Sequence, residues 1–255
     1  MEKPKDQVTI AAPISNREEY LPSYLNCILA QTYPKDLTSL YFLINNSTDQ
    51  SKKILYNFRK EYIYLFKDIT IDEYNNKDIP DSRNRQNRVL DYRVYDHLSY
   101  LRNTVCEKVN TDWLFSVDSD IMLTKKTLME LIKSKKKAIA ALVCNGHEFA
   151  LATPNVSPYK FTNVMFRNPE YKYIHFRRSQ LKGQIEVDLT GAVFLIHKSL
   201  YKNAKYRYDP QGEDIPFCQD IQRSGAKIYC NCNLKQPHCM NLDLLERYKN
   251  GEFKF

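Results

Sequence analysis

Short apolar runs recur along this chain, most of them followed by a stretch of helical period, and that alternation leaves few folds open to it. Residues 8–13, 40–44, 62–71, 113–117, 138–144 and 226–230 are rich in aliphatic, β-branched or aromatic side chains and read as strands. Between them lie helical patterns. Tyr20, Leu21, Tyr24, Leu25, Ile28 and Leu29 form one stripe, reaching to about Gln31. Ile54, Leu55 and Phe58 form a second; Val94, Leu101 and Val105, within residues 90–108, form a third; Leu128, Leu131 and Ile132 form a fourth. Strand–helix alternation predicts an α/β fold with a mostly parallel, Rossmann-like central sheet and helices on both faces. Its 255 residues suffice for one such domain with a sizeable core. Ser15 and Glu18 stand at capping-box spacing ahead of the first helix, and Thr124 is expected to cap the fourth. His97 reads as a surface or edge histidine.

The strand at 113–117 runs into Asp118-Ser119-Asp120, two carboxylates one residue apart. In open α/β sheets the carboxyl edge of the strands is where ligands sit. Two acids this close repel unless a cation or a proton lies between them, and a hard divalent cation bridging to a phosphate satisfies both. On the motif alone, a solvated turn that uses Asp for its turn chemistry stands level with a metal site.

Charge and cysteine content narrow the setting. A net charge of +8, spread along the chain, suits an anionic ligand or surface without choosing among nucleotide, nucleic acid and acidic membrane. No window is apolar for long enough to span a bilayer, and residues 1–7 are polar rather than signal-like, so the cytoplasm is the expected compartment. Seven scattered cysteines fit reduced thiols better than a disulfide framework. Cys218, Cys230, Cys232, His238 and Cys239 raise a structural-zinc alternative, but Cys-x-Cys followed by His-Cys is not a usual zinc spacing.

The remaining segments give weaker signals. Residues 72–88 read as a solvated basic connection, with a flap that carries arginines to a phosphate or acceptor as the alternative. Residues 145–185, with several prolines and aromatics, read as hairpins or loops over the sheet, and Arg177 and Arg178 as solvated charges. In 186–197, Gly191-Ala192 heads an apolar strand and lets backbone approach a ligand. A short helix is expected at 199–204, then one with Glu213 and Asp214 in its first turn and Gly225 past its end. Complementing the helix dipole would account for those acids if they stood alone.

Taken in order, Ala12-Pro13-Ile14-Ser15-Asn16-Arg17, Asn45-Asn46-Ser47-Thr48-Asp49, Leu101-Arg102-Asn103, Asp118-Ser119-Asp120, Thr190-Gly191-Ala192 and Gly212-Glu213-Asp214 followed by Arg223-Ser224-Gly225 form a pattern. With it the chain resembles the family 2-like glycosyltransferases of GT-A fold over residues 8–240. Each motif is weak alone; order and spacing together carry the resemblance. It implies a single GT-A domain over 1–255, with a nucleotide-sugar-binding half at 8–123, an acceptor-binding and catalytic half at 124–240, and a C-terminal helix or tail at 241–255.

The resemblance also implies roles. Ala12, Pro13, Ser15, Arg17 and Asn46 would hold the base and ribose of a nucleotide-sugar, with Arg102, Asn103 and Gly191 near the donor. Asp118 would bond ribose or reach the metal indirectly; Asp120 and His238 would ligate a divalent cation, Mn²⁺ or Mg²⁺. Asp214 would be the general base, with Glu213 and Asp188 as rivals. The second-strand loop carries Asn where the family usually has an acid. The implied reaction is metal-dependent transfer of a sugar, from a UDP-sugar first of all, to an acceptor hydroxyl with inversion. The acceptor is left open among glycan, peptide, nucleic acid and lipid-linked sugar. A non-catalytic nucleotide- or nucleic-acid-binding module is the alternative, which the lack of a clustered basic arm disfavours. A sugar nucleotidyltransferase is another, disfavoured by the lack of a glycine-rich phosphate loop near the N-terminus.

Overall fold

The computed structural model describes residues 4–76, 78–79, 92–145, 162–170 and 172–253. In chain order the elements are β1 (Val8–Ile14), α1 (Leu21–Leu29), β2 (Thr38–Asn45), α2 (Ser51–Tyr62), β3 (Asp68–Tyr74), α3 (Tyr92–Lys108), β4 (Trp113–Val117), α4 (Thr127–Lys133) and β5 (Ala138–Asn145). There follow β6 (Val164–Arg167), β7 (Tyr173–His175), β8 (Gln184–Val187), β9 (Leu189–Thr190), β10 (Val193–His197), α5 (Lys198–Tyr201), α6 (Asp214–Arg223), β11 (Ile228–His238) and α7 (Leu242–Lys249).

The main sheet has the order β3-β2-β1-β4-β10-β5-β11-β8. Parallel pairing joins β3 to β2, β2 to β1, β1 to β4 and β5 to β11, while β10 lies antiparallel between β4 and β5, and β8 antiparallel on the far edge. Side chains alternate along each strand between two apolar clusters, as the period of two requires. Ile10, Phe42, Phe115 and Ile139 point to one face, where α1, α2 and α4 supply Leu21, Leu55 and Leu128. Ala11, Tyr41, Leu114 and Ala140 point to the other, against Leu101 of α3, Tyr201 of α5 and Phe217 of α6. The expected helices on both faces are therefore present, and a Leu21→Ala change there should cost about 2–5 kcal/mol.

Several expectations shift. Tyr62 ends α2, its ring 4.9 Å from Phe58, so the third strand begins at Asp68 and not at 62. Ser15 and Glu18 form no capping box; α1 starts at Leu21 with no side-chain cap, and Glu18 instead accepts the Gln50 N–H. Thr124 does not cap α4, whose N-cap is Lys126; its hydroxyl pairs with that of Thr127. His97 is buried, with Nε2 2.9 Å from Asn45 Oδ1, and burial lowers its pKa. Residues 186–197 break into three strands, and β6, β7 and β9 form a separate small sheet. The hairpin of β6 and β7 matches the expectation for part of 145–185, while Phe149, Pro154, Pro158, Tyr159 and Phe161 lie outside the described residues, as do Arg83, Arg85 and Arg88 of the basic connection.

The largest departure is β11. It was expected to end at Cys230, yet it continues to His238. Its pairing with β5 slips between Asn231 and Lys235, so Cys232, Asn233 and Leu234 bulge before Lys235–His238 resume against Leu142–Asn145. A bulge bends a strand without ending it. This one carries His238 to the carboxyl edge, where it bridges to Ile121 beside Asp120.

Candidate active site

Two loops at the carboxyl edge are stitched together by their own polar side chains. Asn16 and Asn46 occupy the left-handed region at φ 48° and 47°, where Asn is among the few residues tolerated. Asn16 Oδ1 accepts the N–H of Thr48 at 2.8 Å, and the Asn16 and Arg17 N–H groups donate to Ser47 Oγ and Ser51 Oγ at 3.1 and 2.7 Å. These bonds fix the backbone of Arg17, whose guanidinium lies over the Tyr20 ring and donates from Nη2 to Asp120 Oδ2 at 3.2 Å. Asn46 faces the end of β3: its Nδ2 donates to Asn76 O and its Oδ1 accepts the Asn76 N–H, both at 2.7 Å. Ala12 is in the β1–β2 ladder with its methyl in the core, so it offers a ligand no side-chain group; Pro13 and Ser15 are part-buried at the same edge.

The turn after β4 is held equally firmly. Asp118 donates its N–H to Ala192 O at 2.8 Å, Ile121 N–H closes on Asp118 O at 3.0 Å, and Cys239 N–H donates to Asp120 O at 2.9 Å. Asp120 lies between Arg17 on Oδ2 and His238, whose Nε2 is 3.5 Å from Oδ1. Burial alone would raise its pKa, but His238 and Arg17 outweigh that and hold it at about 2. Burial likewise pulls His238 down, and the Asp120 carboxylate more than reverses it. Asp118 pairs with Arg102 Nη2 at 3.1 Å.

Arg102 joins this turn to α6. Its Nε donates to Glu213 Oε1 at 2.9 Å, and its guanidinium lies over Tyr206, which stacks on Phe217 at 3.9 Å. Asp214 opens α6 beside that pair, with its carboxylate packed on Gly191. Burial pushes its pKa up to about 8; Arg102 opposes the shift, while Glu213 and Asp118 add to it. Of the rival acids, Glu213 is held by Arg102, and Asp188 accepts from Arg167 N–H at 2.7 Å and Gln222 Nε2 at 2.8 Å. Asn103 exchanges two hydrogen bonds with the Tyr206 backbone through its amide and so positions that segment.

A divalent cation fits the donor chemistry here. Carboxylate oxygen suits Mn²⁺ or Mg²⁺, and the imidazole adds a nitrogen ligand of the kind that first-row divalent metals take. Two ligands at about 2.1 Å from one ion stand roughly 3.0–3.5 Å apart, and His238 Nε2 and Asp120 Oδ1 are 3.5 Å apart. No group of three or more acidic, histidine or cysteine side chains is gathered among the described residues, so the third acid, Asp118, would have to turn from Arg102 to join. The zinc alternative does not survive: Cys230 and Cys232 lie in the cluster on one face of the sheet and Cys239 in the other.

Two contributors, Asn163 and Tyr206, had no signal in the spacing, and Ala192 was marked only as the neighbour of Gly191. Asn163 donates from Nδ2 to Gly191 O at 3.1 Å and to Ala141 O at 3.0 Å; Tyr206 supports Arg102; and Ala192 turns the chain at φ 62°. A positive φ at a non-glycine residue is invisible in sequence.

Comparison with known proteins decides the family. The model of the Anp1 family matches residues 1–174, more than half of the chain. This chain belongs to the Anp1 family. The matched span holds Arg17, Asn46, Arg102, Asp118 and Asp120 but stops short of Gly191, Asp214 and His238, which the fold returns to the same edge. Among curated proteins, the Anp1 chain is 23% identical over 240 residues to a "Glycosyltransferase 25 family member" of Drosophila pseudoobscura pseudoobscura, covering 87% of this chain and 34% of the relative. It is 23% identical over 247 residues to "Procollagen galactosyltransferase 2" of Homo sapiens, covering 88% and 37%. It thus spans little more than a third of the length of these relatives.

Solved structures share the fold. A mannosyltransferase from Pyrobaculum calidifontis, in complex with GDP-Man and Mn²⁺, superposes with a TM-score of 0.61 at 13% identity, over 91% of this chain and 56% of that one. TarS of S. aureus in complex with UDP-GlcNAc gives 0.54 at 16% identity, over 91% and 55%. The Anp1 chain has the GT-A fold.

Proposed function

We propose that this Anp1 member is a glycosyltransferase that moves a sugar from a nucleotide-sugar to an acceptor hydroxyl, with inversion and with a divalent cation. The observation that carries the reading is a chain of contacts at one sheet edge, with His238 3.5 Å from Asp120 and Arg102 joining Asp118 to Glu213 beside Asp214, in which the two carboxylates are driven apart: Asp120 is held low and Asp214 is raised to about 8. Such divergence marks a division between charge-holding and proton-handling groups. The galactosyltransferase among the relatives, and the GDP-Man and UDP-GlcNAc in the structural neighbours, support sugar transfer from a nucleotide-sugar.

In this reading Asp120 and His238 would hold the cation, and Asp118 would join them on release from Arg102. When bound, that cation supplies positive charge against the diphosphate leaving group. Pro13, Ser15, Arg17 and Asn46 line the donor's base and ribose, Ala12 through its backbone alone. Arg17 and Arg102, both part-buried, add charge-assisted donors for phosphate oxygens. Asp214 takes the acceptor's hydroxyl proton as that oxygen bonds the anomeric carbon and the bond to the diphosphate breaks. A pKa near the working pH lets a group both accept and release a proton. A single base facing the acceptor across the sugar gives direct displacement and inversion.

The test is to incubate the full chain with Mn²⁺ and a panel of UDP- and GDP-sugars, each with glycan and peptide acceptors. We expect one donor to release nucleoside diphosphate and an acceptor to gain the sugar with inverted anomeric configuration. No release from any donor under any condition, with the chain folded, overturns the reading. Retained configuration in the product removes Asp214 as the base.

A further inference from the structure

The described glycines fall into two kinds. Gly183, Gly212, Gly225 and Gly251 have φ of 63°, 140°, 82° and 71°, and a Cβ added at any of them would meet nothing within 4 Å. Those four are glycine because the backbone needs a conformation that side chains resist. Gly191 is the reverse. Its φ is outside the left-handed region, and a Cβ there would overlap Asp214 Oδ2, with Asp214 Cγ at 2.9 Å and Oδ1 at 3.3 Å.

The neighbouring residue sharpens the contrast. The turn after β9 closes with Val193 N–H on Gly191 O at 2.7 Å around Ala192, whose φ is 62°. The conformational demand for glycine falls at 192, and alanine sits there. The glycine stands one residue earlier, where only the carboxylate calls for it. Nor can the turn slide away to admit a side chain. Asn163 Nδ2 holds Gly191 O, Cys218 Sγ reaches Thr190 O at 3.4 Å, and Ala192 O accepts the Asp118 N–H at 2.8 Å.

We infer that Gly191 is a positioning residue for the base: its missing side chain is the berth of the Asp214 carboxylate. The carboxylate accounts for the glycine without requiring close approach of the donor. The same turn grips the Asp118 backbone, so it sets the spacing between the base and the acidic pair. The inference rests on the reading of Asp214 as general base.

The experiment compares the full-length wild type, Gly191→Ala, Asp214→Ala and the double variant. Thermal unfolding without ligand tests the berth independently of turnover. Gly191→Ala should lower Tm, and that penalty should vanish when Asp214 is alanine; an equal penalty in both backgrounds overturns the inference. If Gly191→Ala fails to fold while the double variant folds, the berth is supported; if both fail, it is overturned. With the active donor, Gly191→Ala should lower kcat by about 100-fold, as expected for a misplaced catalytic group, and leave the affinity for Mn²⁺ with nucleoside diphosphate within about twofold of wild type. Weakened nucleotide binding at unchanged kcat overturns it and returns Gly191 to the donor. A wild type that turns over no donor sinks the functional reading, whereas the unfolding comparison still decides the berth.

Discussion

Asp120 and Asp214 lie at the same edge of one sheet, yet their surroundings drive them in opposite directions. Burial penalises the charge of both. Asp120 has two groups beside it that favour its charge, Arg17 at 3.2 Å and His238 at 3.5 Å, and is held at about 2. Asp214 has one cation nearby, Arg102, already engaged by Asp118 and Glu213, and two like charges beside it, so it rises to about 8. Burial does not set the sign of the shift; ownership of the counter-charge does. One acid is thereby suited to hold positive charge, the other to exchange a proton.

The largest effect should come from removing the proton acceptor. Asp214→Asn is expected to lower transfer by about 10³-fold, within the range of general-base contributions, and to keep nucleotide affinity in Mn²⁺ within about twofold. Steady-state kinetics beside a binding titration checks this; transfer within tenfold of wild type removes Asp214 from the chemistry. Stability gives a second readout, with opposite signs for the two acids. Asp214 has a folded pKa above its unfolded value of 3.8, so the folded state binds the extra proton and stability declines as pH rises from about 4 to about 8. Asp214→Asn should flatten that slope in urea unfolding at pH 5 and pH 8. Asp120, with its folded pKa lowered to about 2, contributes stability above pH 4 that is lost as pH falls toward 2.

Next in size is the other acid. Asp120→Asn should lower transfer by about 100-fold by weakening cation binding, in line with several kcal/mol of charge stabilisation. It should also cost about 1–3 kcal/mol at pH 7, because Arg17 and His238 lose their charged partner. Urea unfolding midpoints and Mn²⁺ titration measure the two effects. If Asp120→Asn binds Mn²⁺ as wild type does, the contrast between the two acids is electrostatic only, without the proposed division of roles.

How much of this was legible in the chain differs between the two acids. Asp118 and Asp120 follow a short apolar run, and a strand ending in acids can be read locally. Asp214 was legible as a helix-start acid, but its berth was not, since Gly191 and Asp214 are neighbours only in the folded chain. His238 was named from resemblance, while the reason it arrives beside Asp120, a bulge in β11, leaves no trace in apolar period. The helical stripe of α3 gave the face of His97 and not its depth, which Asn45 and the Tyr74 ring determine. Asn46 and Asn103 were placed near the nucleotide by the resemblance alone. The pairing of their amides with the backbones of Asn76 and Tyr206 depends on residues distant in the chain and could not be read from it.

Arg102 connects the two environments, and a smaller change there should sharpen the contrast. Lysine cannot reproduce the Nε bond to Glu213 together with the Nη2 bond to Asp118, because its single nitrogen lacks the fork. Arg102→Lys is expected to lower kcat about tenfold, about 1.4 kcal/mol of barrier. Arg102 is the one charge that lowers the Asp214 pKa, so weakening it should move the acid limb of the pH–rate profile to higher pH. An unmoved limb would mean that the bound donor and cation, and not Arg102, govern Asp214 during turnover.

Ala192→Gly should have the least effect. A left-handed φ at alanine costs about 1–2 kcal/mol, which glycine removes, while glycine adds roughly 0.4–1 kcal/mol of unfolded-state entropy. The gain exceeds the cost by about 0–1.6 kcal/mol, so Tm should rise by no more than about 6 °C. The turn is held by Asn163, by Val193 N–H and by Asp118 N–H, none of which involves the Ala192 side chain. Transfer should therefore stay within about threefold of wild type, which differential scanning and initial rates together can check. A tenfold loss at unchanged Tm would show that the methyl group stiffens the turn. The spacing of Asp214 from the acidic pair would then depend on local backbone strain as well as on the berth at Gly191.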